Sequence, residues 1–154
     1  MDESPLPLGE HYPFVRASLG GTFHSLHVGH KRYIETALRL AEHVTICVTT
    51  DRYARRLKQY EVAEYRQRFD AVQALLAELG ALERCQLRQL DGDEDLEAFI
   101  LSINLHLAVV EPAYFASFSR LNALRRQQGL PEFYILLKPR TEVDGRMPSS
   151  QNGD

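Results

Sequence analysis

Residues 14–31 read Phe14-Val15-Arg16-Ala17-Ser18-Leu19-Gly20-Gly21-Thr22-Phe23-His24-Ser25-Leu26-His27-Val28-Gly29-His30-Lys31. An apolar run over residues 14–19 stops at two glycines, and a helical pattern takes over beyond them. From residue 27 to residue 42, Tyr33, Ile34, Ala37, Leu38 and Ala41 recur at the spacing of one helix face. Residues 44–49 are then almost continuously apolar (Val44-Thr45-Ile46-Cys47-Val48-Thr49). Such a run suits a strand covered on both faces, as in a parallel sheet. Strand, helix and strand in that order predict a βαβ unit.

The same alternation continues downstream. Asp51 stands where a helix N-cap would, ahead of a short basic helix reaching about residue 57. Residues 64–79 are amphipathic through Phe69, Val72, Leu75, Leu76 and Leu79, and Gly80 suits a helix C-cap. Residues 85–90, 105–110 and 133–138 read as three further strands, and residues 95–103 and 113–128 as helices. No proline falls between Pro13 and Pro112, so regular elements can run uninterrupted there. The expected fold is an α/β domain: a Rossmann-like, doubly wound parallel sheet of about five strands with helices on both faces. Residues 1–12 read as a loose arm, 13–150 as the domain and 151–154 as a tail. Sheets of this kind bind ligands at the carboxyl ends of their strands, near the point where strand order reverses.

Composition narrows the function classes. The chain has 154 residues, 44% of them hydrophobic and 25% charged, which suits one packed domain. No stretch approaches the roughly 18 apolar residues that a spanning helix needs, and the acidic start Met1-Asp2-Glu3-Ser4-Pro5 is unlike a secretory signal. A net charge of −3 argues against a general nucleic-acid binder. Two cysteines, Cys47 and Cys85, make neither a disulfide framework nor a zinc spacing, so a reducing, cytoplasmic setting is expected. No oligomeric state follows from the pattern.

Charge placement says more than charge totals. Three of the six histidines lie within residues 24–30, at the first strand–helix turn. Gly20 and Gly21 would let the backbone turn tightly and approach a ligand. The free N–H groups and dipole of the following helix point into the turn, which suits a phosphate. His27 and His30, three residues apart, fall on one side of the first helical turn, with Gly29 leaving space between them. With the Thr22 hydroxyl they form a group able to stabilise negative charge on a phosphoryl group. Two histidines at this spacing could also ligate zinc, but no third ligand stands nearby in sequence.

The string Gly21-Thr22-Phe23 with His27-Val28-Gly29-His30 resembles the nucleotidyltransferase signature of the cytidylyltransferase-like superfamily. Within it the chain most resembles the archaeal and eukaryotic type of phosphopantetheine adenylyltransferase. The likeness runs through Val48-Thr49-Thr50-Asp51, the Lys58 region and Glu64-Tyr65-Arg66-Gln67-Arg68. It continues in Leu121-Asn122-Ala123-Leu124-Arg125, Gly129-Leu130 and Asp144-Gly145-Arg146-Met147-Pro148-Ser149-Ser150. It implies adenylyl transfer from ATP to 4′-phosphopantetheine, giving dephospho-coenzyme A and pyrophosphate by in-line attack at the α-phosphorus. By that resemblance His27 and His30 would bind the ATP phosphates, Thr22 would orient the attacking phosphate and Lys58 would neutralise it. Gly20, Gly21, Phe23 and Gly29 would border the nucleotide, Asn122 and Arg125 would lie near it, and Ser149 and Ser150 would meet the leaving phosphates. Mg2+ would accompany the ATP, held mainly by phosphate oxygens and water.

The chain also departs from that pattern. His24 stands where Asp is usual, Glu111-Pro112-Ala113-Tyr114 replaces a Ser-x-Glu-Thr segment, and Gln151-Asn152-Gly153-Asp154 replaces Thr-Arg-Ile-Arg after Ser150. A related nucleotidyltransferase with another base or acceptor (glycerol phosphate or flavin mononucleotide) and a non-catalytic nucleotide-binding module therefore stay open. Elsewhere blander readings prevail. Arg52, Arg55, Arg56, Arg66 and Arg68 read as a solvated helix face paired with Glu61 and Glu64. The acidic string Asp91, Asp93, Glu94, Asp95 and Glu97 reads as a solvated helix start. Tyr33, Phe69, Phe99 and Phe133 read as packing residues, Phe115 and Phe118 as core residues that could instead line a pocket, the two cysteines as buried thiols and His106 as a strand-start residue without a catalytic task.

Overall fold

In the computed structural model, residues 12–24, 26, 28–58 and 61–139 are described. His27, Ser149 and Ser150, the tail and all of the N-terminal arm but Tyr12 lie outside them; Tyr12 sits beneath the Arg84 guanidinium, 4.8 Å from ring centroid to Cζ. Five strands, β1 (Phe14–Gly21), β2 (Ala41–Thr49), β3 (Cys85–Leu90), β4 (Leu107–Val110) and β5 (Tyr134–Leu137), form one sheet in the order β3-β2-β1-β4-β5. Every pairing is parallel. The helices are α1 (Val28–Leu40), α2 (Asp51–Leu57), α3 (Tyr65–Glu78), α4 (Asp93–Ser102) and α5 (Phe115–Gln127). From β1 the chain steps first to β2 and β3 on one side, then crosses to β4 and β5 on the other. The reversal lies between β1 and β4, as the expected doubly wound topology requires.

The alternation of side chains along the strands divides the core between the two faces. Ala17, Leu19, Val44, Ile46, Val48, Leu107 and Val109 pack with Ile34 and Ala37 of α1 and Val72 and Leu76 of α3. Burial of each large aliphatic here is worth roughly 1.5–3 kcal/mol. On the opposite face Ala108 and Val110 pack with Ile100 of α4 and Leu121 of α5, and Cys47 packs with Tyr53 of α2. That second face carries small groups at its centre, Ser18 and Gly20 on β1 and Cys47 on β2, and so leaves a space beneath its helices.

Boundaries moved where local chemistry decided them. Thr50, not Asp51, caps α2: its Oγ1 accepts the Tyr53 N–H at 3.2 Å, and Asp51 is the first helical residue. Leu79 ends α3 and Gly80 follows it at φ +70°, the left-handed position that glycine takes without strain. The 95–103 helix begins earlier, at Asp93 after Gly92. The 113–128 helix splits into a 3-10 turn over Pro112–Tyr114 and then α5.

Candidate active site

A cleft of about 270 Å³ opens at the strand reversal, on the face with the small central residues. Its floor is Ser18, Gly20 and Thr22 of the first strand and turn with Cys47 and Thr49 of β2. Its apolar wall comes from Tyr53, Leu96, Phe99, Phe118 and Leu121. Lys58, Asp93, Glu111 and Arg120 add charged groups to the lining. Phe118 thus takes the pocket-lining alternative, and Phe99, read from sequence as a packing residue, also borders open space.

The glycine pair works differently from the sequence expectation. β1 continues straight through Gly20 and Gly21. A Cβ on Gly20 would stand 3.3 Å from the Cys47 carbonyl oxygen and 3.4 Å from its Cβ, so glycine here permits close approach of β1 to β2 and keeps the cleft floor low. The left-handed turn residue is instead Phe23, at φ +56°. A bulky residue adopts that conformation only when its surroundings hold it there. Phe23 is buried, with its ring 5.4 Å from that of buried His30 on the first turn of α1. His24 fastens the same loop from outside, its Nδ1 accepting the Ala63 N–H at 3.0 Å.

Tyr33 of α1 ties the reversal point together. Its hydroxyl donates to the Val109 carbonyl at 2.9 Å and lies 3.3 Å from the Gly20 carbonyl, so it spans β4 and β1. Lys58 ends α2, its N–H bonded to the Ala54 carbonyl at 2.9 Å, which brings its side chain to the same cleft as Thr22.

The residue that organises this corner is Arg68 of α3, only 1% exposed. Its Nη1 donates to the Thr22 carbonyl at 2.9 Å and the Thr49 carbonyl at 2.8 Å, and reaches Thr49 Oγ1 at 3.4 Å. Its Nε donates to the Ala63 carbonyl at 2.6 Å and its Nη2 to Asp51 Oδ1 at 3.0 Å. Thr49 Oγ1 in turn bonds Thr22 Oγ1 at 3.1 Å. Reading Arg68 as part of a solvated face is therefore wrong, whereas Arg52, Arg55, Arg56 and Arg66 are exposed as expected, Arg66 paired with Asp70. The signal was present, because Arg68, Val72 and Leu76 follow one another at intervals of four along a single buried stripe.

The acidic string opens α4 with Asp93 and Glu94 exposed, as expected, and several of its members also make local bonds. Thr50 Oγ1 donates to Asp91 Oδ1 at 2.7 Å and Arg52 to Oδ2 at 2.6 Å; the guanidinium above all holds the Asp91 carboxyl below its ordinary range. Tyr53 donates its hydroxyl to Asp93 at 2.5 Å, and burial together with that carboxylate pushes the phenol upward. Asp95 accepts from Arg88 and from the Asp91 N–H. Among the described residues no three His, Cys, Asp or Glu side chains gather as a metal site. Cys47, buried in the cleft floor, has its thiol pushed up to about 11 by desolvation, which leaves it un-ionised and inert at neutral pH.

A family description, cytidylyltransferase-like, matches residues 18–140. The chain belongs to the cytidylyltransferase-like family. It is 32% identical over 145 residues to a phosphopantetheine adenylyltransferase of Methanopyrus kandleri, an alignment covering 89% of this chain and 87% of that protein. It is 27% identical over 135 residues to a bifunctional phosphopantetheine adenylyltransferase/NTP phosphatase of Thermoplasma volcanium, covering 86% of this chain but 39% of that protein. A crystal structure of a protein of unknown function from Archaeoglobus fulgidus superimposes with a TM-score of 0.71 at 24% identity, covering 88% of this chain and all of that one, which shows a shared fold.

For this family member the structure gathers Gly20, Gly21, Thr22 and Lys58 at one cleft, with Phe23, Gly29 and His30 at the adjoining turn and helix start. It does not bring Asn122 or Arg125 there. Asn122 clasps the backbone of Phe133, donating to its carbonyl at 2.8 Å and accepting its N–H at 2.9 Å. Arg125, 1% exposed, donates to the Ile100, Ile103 and Pro131 carbonyls, each at 2.8 Å. These contacts hold α4, α5 and the approach to β5 together. Their polar atoms are spent on backbone, and neither residue is part of the cleft lining. Sequence reading also missed Thr49 and Arg68 as members of the site.

Proposed function

We propose that this chain transfers the adenylyl group of ATP to 4′-phosphopantetheine, releasing pyrophosphate and leaving dephospho-coenzyme A. One observation carries the reading: a cleft at the strand reversal whose mostly apolar lining also includes the Thr22 hydroxyl and the Lys58 ammonium. Its volume is near the lower end of the roughly 300–1,000 Å³ of small-molecule pockets. An acceptor with a phosphate and a long, weakly polar tail matches that polarity, with phosphate at Thr22 and Lys58 and tail against Phe99, Phe118 and Leu121. The relatives named for this activity agree with it.

An acceptor phosphate oxygen attacks the α-phosphorus, forming the new P–O bond as the bond to pyrophosphate breaks opposite. No covalent enzyme intermediate is required, so the protein contributes positioning and charge neutralisation. Thr22 and Lys58 hold the attacking phosphate. His27 and His30 are both assigned to the ATP phosphates by resemblance, and His30 stands on the first turn of α1, whose N-terminus would favour phosphate. The groups offered near the reacting phosphates are a hydroxyl, an ammonium and imidazole, which bind phosphate oxygens. A magnesium ion would accordingly be carried by the triphosphate and water. The role fits a cytoplasmic protein acting on small molecules rather than nucleic acid, and among the described residues no helix is long and apolar enough to cross a membrane.

The test is pyrophosphate release from ATP, CTP, GTP or UTP, each offered phosphopantetheine, glycerol phosphate or flavin mononucleotide. Release with ATP and phosphopantetheine supports the reading, and release with CTP but not ATP overturns it. If His27→Ala leaves release unchanged, the assignment of the catalytic turn is wrong.

A further inference from the structure

The buried contacts around Thr22 have a direction. Arg68 Nη1 gives its two hydrogens to the Thr22 and Thr49 carbonyls and also stands 3.4 Å from Thr49 Oγ1, close enough for its charge to act on that hydroxyl. Its positive charge favours the orientation in which that oxygen faces the guanidinium and the Thr49 proton points away. The acceptor on the far side is Thr22 Oγ1, at 3.1 Å. Thr22 Oγ1 then accepts from Thr49, and its own proton is turned outward. Both hydroxyls belong to the cleft floor, and both residues are almost fully buried, at 1% and 2% exposure, so water does not scramble the order. Low local polarity strengthens each bond in such a chain. The same Nη1 group holds the Thr22 and Thr49 carbonyls, which fixes the two backbones that carry the hydroxyls.

We propose that Arg68 and Thr49 are positioning residues that turn the Thr22 hydroxyl proton into the cleft, so that Thr22 acts as a committed donor to the attacking phosphate. This deepens, and rests on, the adenylyl-transfer reading. A hydroxyl free to rotate would present its lone pairs to an anion part of the time. One whose lone pair is already occupied by Thr49 presents its proton instead. Arg68 reaches no reacting atom; it acts through Thr49.

A double-mutant cycle with Thr49→Val and Thr22→Val tests the chain, since valine keeps the shape and removes the hydroxyl. Pyrophosphate release at saturating ATP and phosphopantetheine is the readout, with thermal melting run on every variant. Thr49→Val lowers kcat by about ten-fold and leaves KM for ATP unchanged, the scale of one hydrogen bond to a charged group. Thr49→Ser, which keeps the hydroxyl, restores most of the rate. With Thr22→Val already present, adding Thr49→Val costs nothing more in kcat, because there is no proton left to orient. Multiplied losses in the double variant, or a Thr49→Ser enzyme as slow as Thr49→Val, overturn the proposal, since either would mean that Thr49 acts through packing. The two ideas fail separately. Active wild-type protein with an additive cycle removes the relay alone; wild-type protein that releases no pyrophosphate with any nucleotide and acceptor removes both.

Discussion

Arg68 and Arg125 are each 1% exposed, each sits on a helix among apolar neighbours, and each spreads its donors over three backbone carbonyls. Their surroundings differ in what those carbonyls belong to. Arg125 donates to the Ile100 and Ile103 carbonyls, at the end of α4, so the cation sits where the helix dipole favours it. It has no carboxylate among its hydrogen-bond partners, and burial lowers its guanidinium from the ordinary range. Arg68 holds the two strand ends that carry Thr22 and Thr49, reaches a hydroxyl and is paired with Asp51. A buried arginine is therefore no sign of a ligand by itself. One of these two joins elements remote from the cleft, and the other sets the cleft's donor.

The largest expected effect separates them by activity. Arg68→Met strips the donors from Thr22, Thr49 and Ala63 and leaves Asp51 unpaired. Stability falls by about 3 kcal/mol, because the buried Thr22 and Thr49 carbonyls lose their donor, and pyrophosphate release per folded molecule falls by roughly a hundred-fold. Arg125→Met costs a similar amount, about 3 kcal/mol or roughly 10 °C in Tm for a domain of this size. Its rate per folded molecule stays at the wild-type level. Equal rate losses in the two variants would erase the distinction and return Arg125 to the site.

How legible this was depended on whether a feature is local. The βαβ order and both long apolar stripes follow from periodicity, the phosphate-like turn from its glycines and histidines, and a strand reversal from the class of sheet, whereas its place between β1 and β4 is seen only in the strand order. Arg68 was misread because a run of basic residues looks like one solvated surface. Its position four residues before Val72 marks a buried stripe, but an arginine within it is worth burying only for the carbonyls of Thr22 and Thr49, which are remote in sequence. The structural contacts of Asn122 and Arg125 were hidden for the converse reason. Its partners, Phe133, Pro131, Ile100 and Ile103, come from loops and helix ends that no local pattern connects. Phe23 could not be anticipated either, because glycines stood beside it as more obvious turn residues.

Asn122→Ala sharpens the remote side of the comparison with a smaller change. It removes two hydrogen bonds to one residue at the start of β5, leaving the Phe133 N–H and carbonyl without side-chain partners. A loss of about 1–2 kcal/mol in chemical denaturation is expected, with kcat and both KM values unchanged. A rise in KM for ATP alone would place Asn122 at the nucleotide after all.

Asp51→Asn is the mildest change and asks whether charge or carbonyl geometry holds Arg68. The Asp51 side chain is 40% exposed, so its attraction to Arg68 is screened by solvent even though the arginine is not. It also lies in the first turn of α2, where a carboxylate gains a little from the helix dipole. Asparagine keeps an oxygen that can accept from Nη2, and the four contacts to Ala63, Thr22 and Thr49 stay in place. The expected loss is about 0.5–1 kcal/mol, shrinking as salt is added, with kcat within about two-fold of wild type. If Asp51→Asn instead matched Arg68→Met in both stability and rate, the ion pair would be what fixes the guanidinium. Arg68 and Arg125 would then differ by the presence of a counter-charge, rather than by which carbonyls they hold.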